Sequence, residues 1–440
     1  MRTDFDALIV GAGPAGSAAA ILLARAGWSV ALIEKQRFPR RKVCGECIAA
    51  SNLPLLDALG IGAAFAAAAG PELREVALMR GERCVVAALP AAPDARRRWG
   101  RALGRETLDT LLLDAARAAG AVVLQPWSAQ TLDGTAGAWS CVVRAHDSDA
   151  VETLRAPLAI AAHGSWETLP SDRPARRLGR SPSDLFAFKA NFVDASLVAG
   201  RLPVLSFDGG YGGIVIGDRG ITTLACCIRR DRLESCRAGA PGARAGDAVE
   251  ALLRRECRGV REGLRDARRD GAWLAAGPID PGIRLTRGDG VFRIGNAAGE
   301  AHPVIGEGIS IALQSAWLLC ARLLGERASA REDRTDPEPR HELLLDVAWQ
   351  RDIARRYAAD WRREFGPRLR LAAAFAHAAM RPRSAAALVA LARGWPGLLT
   401  LGARWGGKVR CAADPATIAA LARIGAASRD ARAAPVIASR

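Results

Sequence analysis

The sequence predicts an α/β protein with three parts: a domain built around a parallel sheet, an interleaved β-sheet domain, and a helical C-terminal region. Three observations support this prediction. The chain begins with an apolar strand, a glycine-rich turn and a helix; strand-like segments occupy 180–285; and helix-forming residues dominate from residue 343 onward. A chain of 440 residues also exceeds one ordinary hydrophobic core, so two or more interdependent domains are expected.

The turn after the first strand has the spacing of a nucleotide-binding motif. It has the pattern Gly-x-Gly-x-x-Gly, with glycines at Gly11, Gly13 and Gly16; Pro14 and Ala15 lie inside the motif as further candidate contacts to the cofactor, and helix-forming residues begin at Ala15. The first glycine permits a tight turn, the second lets a pyrophosphate approach the backbone, and the third lets the helix pack on the strand. The N–H groups and the dipole of the helix N-terminus favour bound phosphate.

A second apolar strand, 29–33, ends in Glu34 and Lys35. Glu34 stands where an acidic side chain accepts hydrogen bonds from the ribose of an adenosine. An acidic residue here suits FAD or NAD and disfavours a 2′-phosphate. Because strand, glycines, helix, strand and acid follow in register, they predict a Rossmann-type unit rather than an ordinary strand–helix–strand turn.

Composition and charge exclude several classes of function. The net charge is +16, but only four of the 62 basic residues are lysines, and the arginines are dispersed. No helix-turn-helix, zinc-finger or RNA-binding motif accompanies them, so nucleic-acid binding is not expected. The N-terminus does not resemble a signal peptide, and no apolar run reaches the roughly 20 residues that span a bilayer. We therefore expect a cytoplasmic protein.

The ten cysteines are expected to be reduced in that compartment. Cys44 and Cys47 form a Cys-x-x-Cys pair, but neither Cys226-Cys227 nor the scattered histidines completes a zinc site with it. No metal is predicted. A redox-active dithiol at Cys44 and Cys47 remains the less favoured alternative.

Three distant motifs decide between FAD and NAD. Arg105 is followed by an amphipathic helix; an apolar strand from residue 156 ends near His163-Gly164; and Gly295-Asn296 precedes the segment Pro303-x-x-Gly-x-Gly. Together with the first 60 residues, these motifs resemble the FAD-dependent monooxygenases with the p-hydroxybenzoate hydroxylase fold, and their relatives, the geranylgeranyl reductases and flavin-dependent halogenases. The resemblance covers roughly 5–60, 101–175 and 285–325.

The resemblance implies how the domains divide. A discontinuous FAD-binding domain would comprise 1–70, 101–179 and 286–330. A substrate-binding β-sheet domain would comprise 71–100 and 180–285. A helical region would occupy 331–425, followed by a tail at 426–440.

The resemblance also implies which residues contact FAD. The segment from Phe38 would run past the flavin, with Arg40, Cys44 and Gly45 close to the ring or the phosphates. Arg105 matches an arginine that contacts the FAD. Gly295-Asn296 stands where the family has Gly-Asp, and the amide can still hydrogen-bond. The loop beside the isoalloxazine would be formed by Pro303, Gly306, Glu307, Gly308 and Ile309, whose glycines allow backbone N–H groups to approach the flavin.

The middle of the chain favours one branch of this group. The segment from Leu205 contains neither the Trp-x-Trp of the halogenases nor the Phe-Pro of the geranylgeranyl reductases, and no second nucleotide-binding motif is present. We therefore expect a hydroxylase in which transient NADH or NADPH reduces FAD. A flavin C4a-hydroperoxide formed with O₂ would then oxygenate an aromatic or otherwise electron-rich small molecule. The alternatives are an FAD-dependent reductase of isoprenoid double bonds and a non-catalytic flavin-binding partner protein.

Four residues are candidates for the substrate side of the site. His302, next to the flavin loop, is a candidate base or orienting group, and equally a histidine that hydrogen-bonds loop backbone. Lys189 is a candidate partner for an anionic substrate group. Because strand side chains alternate, it shares a face with Ala187 and not with Phe188. Phe188 and Tyr211 are candidate substrate contacts.

The segment 384–410 combines apolar runs, two tryptophans and basic residues. The favoured interpretation is a helical cap packed on the FAD-binding domain. Contact with a membrane surface is the less favoured one.

Overall fold

The computed structural model describes residues 2–165, 169, 181–285, 288–328 and 338–423. The predicted tail, 426–440, lies outside them. The strands are β1 (Ala7–Val10), β2 (Val30–Ile33), β3 (Cys47–Ile48), β4 (Glu75–Arg80), β5 (Arg83–Ala88), β6 (Arg101–Ala102), β7 (Val122–Leu124), β8 (Trp127–Ala129), β9 (Asp133–Thr135), β10 (Ala138–Ala145), β11 (Val151–Ala156), β12 (Leu158–Ala161), β13 (Leu185–Val193), β14 (Arg201–Phe207), β15 (Gly210–Ile216), β16 (Thr222–Arg229), β17 (Arg268–Ile279), β18 (Gly282–Ile283), β19 (Phe292–Arg293) and β20 (Gly299–Glu300). The helices are α1 (Pro14–Arg25), α2 (Leu53–Ala58), α3 (Gly62–Ala68), α4 (Arg105–Ala118), α5 (Arg230–Ala238), α6 (Ala245–Glu256), α7 (Arg258–Gly263), α8 (Gly308–Ala328), α9 (Glu338–Leu345), α10 (Val347–Met380), α11 (Pro382–Gly394) and α12 (Gly397–Trp405).

The predicted α/β fold is confirmed, and its first layer is a parallel sheet in the order β19-β12-β1-β2-β7. Its short strands are continuous apolar runs because both faces are covered. Ile9 and Leu32 lie in the hydrophobic cluster with α1, α4 and α8, while Leu8 and Ile33 lie in the cluster with β10 and β11. Because side chains alternate along each strand, the two faces of the sheet contribute to two separate hydrophobic cores.

The second layer is a mixed sheet in the order β17-β13-β16-β15-β14-β4-β5, whose strands come from 75–88 and 185–279. One face, which includes Phe192 and Ile214, packs on α6 and α7. The other face carries Ala187, Tyr211 and Cys227 in register with one another. These three side chains pack with residues of α10 near the flavin-loop segment that begins at His302.

The C-terminal helices join the two sheets. The window Gly308–Gly325 of α8 is the stretch of the described residues that is long and apolar enough to cross a membrane as one helix, with a mean hydropathy of 1.4. However, 72% of that window is buried inside the protein, which is the pattern of a core helix. Helix α10 runs back along α8 to the mixed sheet, and α11 and α12 lie over β4 and β5.

Candidate active site

A cavity of about 530 Å³ lies between the parallel sheet and the mixed sheet. At one end it is bordered by Gly13 and Pro14 of the first turn, and by Gly306 and Gly308 of the loop before α8. At the other end it is bordered by apolar side chains of the mixed sheet and of α11 and α12: Val76, Leu78, Leu202, Val204, Leu388, Leu391, Leu398, Leu399 and Leu401. The predicted glycine motifs and the sheet of the second domain therefore meet at one cavity.

The first turn has the geometry that its glycines allow. Gly11 has φ +103°, and a Cβ there would lie 2.6 Å from the carbonyl oxygen of Ala162. A Cβ on Gly16 would collide with the carbonyl oxygen of Gly11, so this glycine lets the helix lie against the turn. At Gly13 the position of a Cβ is 3.7 Å from Arg105 Nη2, so the turn is open on the side of the cavity.

Two arginines share one carboxylate beside this turn. Arg105 donates from Nε and Nη2 to the two carboxylate oxygens of Asp109, each at 2.7 Å, and Arg40 Nη1 lies 3.2 Å from Asp109 Oδ2. Asp109 is fully buried. The sequence analysis missed Asp109, although its position four residues after Arg105 on one helix was a signal for such a pair. The pair fixes Arg105 on the border of the cavity.

Glu34 is buried and already has backbone partners. Its Oε2 accepts a hydrogen bond from the N–H of Ala12 at 3.0 Å, and its Oε1 accepts one from Gln36 at 2.9 Å. Each carboxylate oxygen has a further lone pair, so the group can still accept a hydrogen bond from a ribose hydroxyl. The adjacent Lys35 is half-buried and does not border the cavity.

The loop before α8 is shaped by Gly306 and anchored by Glu307. Gly306 has φ +63°, and Gly308 has no atom within 4 Å of the place where a Cβ would stand. The fully buried Glu307 carboxylate lies 3.3 Å from Lys408 Nζ and 3.5 Å from Arg368 Nη1. The Glu307 side chain does not border the cavity, and its pairing with these two cations makes it part of the geometry of the loop. Burial raises the pKa of Glu307, and the two cations oppose that rise.

Asn296 and Ile309 border the cavity between these two ends. Gly295 has φ +60°, and its N–H donates to Ser315 Oγ at 2.8 Å. Asn296 donates from Nδ2 to Ser165 Oγ at 2.8 Å, which leaves its amide oxygen available as an acceptor.

Cys44 and Gly45 border the cavity, and Glu46 fixes their loop to the mixed sheet. Glu46 is buried; it accepts hydrogen bonds from the N–H of Arg105 at 2.9 Å and from Thr223 Oγ1 at 2.5 Å, and it pairs with the ammonium of Lys189. Sequence analysis missed Glu46; a charged residue inside an otherwise small Cys-Gly-x-Cys loop was the available signal.

The role predicted for Lys189 is wrong. Its face of β13 does point toward the cavity, as Ala187 shows, but its ammonium is 1% exposed and is neutralised by Glu46. It therefore has no charge to offer an anionic substrate. Phe188 lies on the opposite face: although it touches the border of the cavity, its ring packs edge-on against Trp273, with centroids 6.4 Å apart.

Cys44 and Cys47 are free thiols, and Cys47 is buried. Burial raises the pKa of Cys47, which disfavours its thiolate. Within the described residues no group of three or more His, Cys, Asp or Glu side chains could hold a metal ion.

Tyr211 and His302 form the polar pair on the substrate side. Tyr211 borders the cavity, and its Oη lies 3.2 Å from His302 Nδ1. His302 is buried and does not itself border the cavity, so the predicted direct contact becomes one made through Tyr211. Burial, reinforced by the neighbouring His377, lowers the pKa of His302 to about 4. The imidazole is therefore neutral at pH 7, and burial also keeps Tyr211 protonated by raising its pKa.

His377 connects this pair to the surface. Its ring centroid lies 5.5 Å from that of His302, and His377 is exposed on α10. Tyr211, His302 and His377 thus form a line of titratable groups from the cavity to solvent.

Comparisons with known proteins agree with this geometry. Residues 4–203 match the model of a family described as the FAD binding domain.

Relatives of the whole chain fit this assignment. Digeranylgeranylglycerophospholipid reductase 2 of Methanopyrus kandleri is 26% identical over 384 residues, which are 82% of this chain and 83% of the relative. The solved structure of the myxobacterial chondrochloren halogenase has a TM-score of 0.67 at 20% identity and covers 97% of this chain and 98% of its own. Pseudomonas aeruginosa PqsL, solved with 2-aminobenzoylacetate, has a TM-score of 0.59 at 19% identity, covering 85% and 95%. At such identities the structures show the fold, which is the predicted p-hydroxybenzoate hydroxylase-like one.

The residues present fit FAD. Gly13, Gly45 and Gly308 come from three separate segments, and all three border the same cavity. Nothing but the tip of Arg105 lies within 4 Å of where their Cβ atoms would stand. A flat, elongated group can therefore approach three stretches of backbone, with Arg105 beside its phosphates and the Gly306–Gly308 loop beside its ring.

Proposed function

We propose that this protein is an FAD-dependent monooxygenase that uses NADH or NADPH and O₂ to hydroxylate an electron-rich, largely apolar aromatic substrate. The observation that carries the proposal is Tyr211, which borders a largely apolar cavity and lies within hydrogen-bond distance of the buried His302 behind it. When bound, FAD supplies the reduction by the nicotinamide and the activation of O₂.

The pair is suited to a substrate hydroxyl. The neutral imidazole of His302 can accept the Tyr211 proton at Nδ1, which leaves the lone pairs of Tyr211 Oη free to accept a hydrogen bond from the substrate. A hydrogen bond donated by a phenolic or similar hydroxyl to Tyr211 polarises the O–H bond of the substrate and makes its ring more electron-rich. An electron-rich ring is what attack on an electrophilic oxygen requires.

The apolar wall has two functions in this proposal. Leucines and valines of the mixed sheet and of α11 and α12 exclude water from the reacting atoms, and they hold the apolar body of the substrate. The buried ion pair of Lys189 and Glu46 holds the Cys44–Gly45 loop in place.

A second candidate is an FAD-dependent reductase of isoprenoid double bonds. The Methanopyrus kandleri relative, which is named for reduction of a geranylgeranyl lipid, spans 82% of this chain and so includes the cavity. The apolar lining would suit a prenyl chain equally well.

One experiment separates these functions. Purified holoprotein is supplied with NADH or NADPH, ¹⁸O₂, and a panel of phenols, indoles and prenylated lipids, and the products are followed by mass spectrometry. A product that contains one heavy oxygen supports the monooxygenase. A prenyl product that gains only hydrogen, and that also forms without O₂, supports the reductase. Absence of turnover with every substrate would favour a non-catalytic flavin-binding partner protein.

A further inference from the structure

We infer that the α11–α12 hairpin, residues 382–405, docks on the surface of an anionic lipid bilayer, so that a lipophilic substrate enters the cavity directly from the membrane. The inference concerns how substrate reaches the site and holds for either reaction considered above. The sequence analysis favours a helical cap packed on protein for this segment. The hairpin does cover the cavity, but it also presents an apolar outer surface, which a cap alone does not explain.

The first argument is the exposure of large apolar side chains on this hairpin. Leu391 is 58% exposed, Trp395 63% and Trp405 64%. Helix α12 has no buried residue at all. Exposed apolar side chains that cluster on one element mark interaction surfaces, and tryptophan is the residue that is enriched at the interface between lipid and water.

The second argument is charge. Between Glu364 and Asp414 the chain contains eight lysines and arginines and no acidic residue. Arg381, Arg383, Arg393 and Arg404 are exposed. Among the described residues, neither Arg393 nor Arg404 has an ion-pair partner. Basic side chains that flank exposed tryptophans complement the phosphates of an anionic leaflet.

The third argument is that the exposed patch is continuous with the cavity. Leu391 and Trp405 border the cavity and are also exposed, so the cavity reaches the surface between the two helices. The hairpin is held there rigidly: Thr400 Oγ1 donates to the carbonyl of Ala88 on β5 at 2.6 Å, and Val389 packs in the cluster with Leu78.

The shape of the hairpin favours an interfacial position over a span. The two helices contain 13 and 9 residues and are bent by 112° relative to each other. Together the two helices are long and apolar enough for a broken span, but neither alone reaches the roughly 20 residues that cross a bilayer. With this bend, two short amphipathic helices fit the plane of the interface. A bilayer, unlike a protein partner, also explains why the patch surrounds the opening of an apolar cavity.

The test measures co-sedimentation of holoprotein with vesicles of phosphatidylcholine, with or without phosphatidylglycerol. We expect binding to the anionic vesicles and much weaker binding to the neutral ones. The double variant Trp395→Ser/Trp405→Ser should lower the affinity at least about tenfold. Arg393→Gln/Arg404→Gln should lower it roughly fivefold for each charge removed. The matched control is Val198→Ser, at a residue that is 56% exposed elsewhere, and it should bind as the wild type does.

The FAD content and the melting temperature of each variant are measured in parallel, so that a folding defect is recognised independently. Equal binding of the wild type and both double variants would overturn the proposal. Failure of the wild type to bind anionic vesicles would also overturn it. So would dimerisation of the wild type that the tryptophan variant abolishes, because the patch would then be an interface between two copies of the chain. None of these readouts depends on catalytic turnover, so they stand apart from the proposed monooxygenase activity.

Discussion

At the scale of single residues, buried polar pairs determine what the site can do. Tyr211 Oη lies 3.2 Å from His302 Nδ1, and Glu46 pairs with Lys189 behind the Cys44–Gly45 loop. The sequence analysis named Tyr211, His302 and Lys189 as candidates for contact with substrate, but it paired none of them with its actual partner and missed Glu46. The chemistry of the site therefore depends on contacts between residues that are far apart in sequence.

Replacing His302 should uncouple the enzyme. In His302→Ala, Tyr211 loses its acceptor, so the substrate hydroxyl is no longer polarised while reduction of FAD continues. We expect product formation to fall about a hundredfold and NAD(P)H oxidation to change little. Stopped-flow reduction and product yield per nicotinamide oxidised measure the two steps. If the variant forms as much product per NAD(P)H oxidised as the wild type, the role of His302 is purely structural.

The low pKa of His302 also predicts a pH effect on stability. The pKa is about 4 in the folded protein against an ordinary value of 6.5, so between those values the unfolded chain binds a proton that the folded chain does not. The stabilisation is complete above pH 6.5 and is lost as the pH falls toward 4, by about 3 kcal/mol.

Urea unfolding of wild type and His302→Gln across this window measures the effect. The wild type should lose more stability on acidification, because glutamine does not titrate. His146→Gln, at an exposed histidine, should follow the wild-type profile. Identical profiles for His302→Gln and wild type would contradict the prediction.

Breaking the Lys189–Glu46 pair should destabilise the fold. Lys189→Met leaves a buried carboxylate without its cation, and we expect a loss of about 3–5 kcal/mol in the free energy of unfolding. The double variant Lys189→Met/Glu46→Gln removes both charges and should recover much of that loss. Urea titration of the single and double variants checks this, and a double variant no more stable than Lys189→Met would contradict it.

At the scale of elements, the parallel unit was predictable and the orientation of the mixed sheet was not. The turn at Gly11–Gly16 is local, and its glycine spacing determines its geometry. Alternation along β13 correctly separated Lys189 from Phe188, but it cannot say which face meets the cavity, because that depends on packing against α6 and α10. The partners of Glu307 could not be predicted for the same reason: the two cations that pair with it lie on α10 and after α12.

The loop before α8 gives a test of FAD placement at this scale. A side chain at Gly308 meets no protein atom within 4 Å, so Gly308→Val should fold normally and lose bound FAD. Gly325→Val, at another open glycine of the same helix, should keep its flavin. Flavin absorbance per protein and circular dichroism of the two variants measure the outcome, and equal flavin content would contradict the placement.

At the scale of the whole molecule, the C-terminal segment is fastened to the flavin loop by one buried polar network. Arg368 of α10 lies 3.5 Å from Glu307, donates to Gln314 of α8 at 3.2 Å, and donates to the carbonyl of Arg410 at 2.9 Å. Lys408 donates to the carbonyl of Gly306 at 3.2 Å. The chain that follows the α11–α12 hairpin thus holds the loop before α8 in place.

This network predicts that a residue remote from every FAD motif controls FAD affinity. Arg368→Met removes the cation beside a buried carboxylate and frees the segment around Arg410, so the flavin loop loses its support from the C-terminal side. We expect a loss of about 3–5 kcal/mol in stability and weaker FAD binding. Arg370→Met, at the exposed arginine two residues further on, should change neither. FAD titration of the apoprotein and thermal unfolding compare the two variants. If Arg368→Met binds FAD as tightly as Arg370→Met, the flavin loop is stable without the C-terminal segment, and the two parts of the molecule are coupled only by covalent connection.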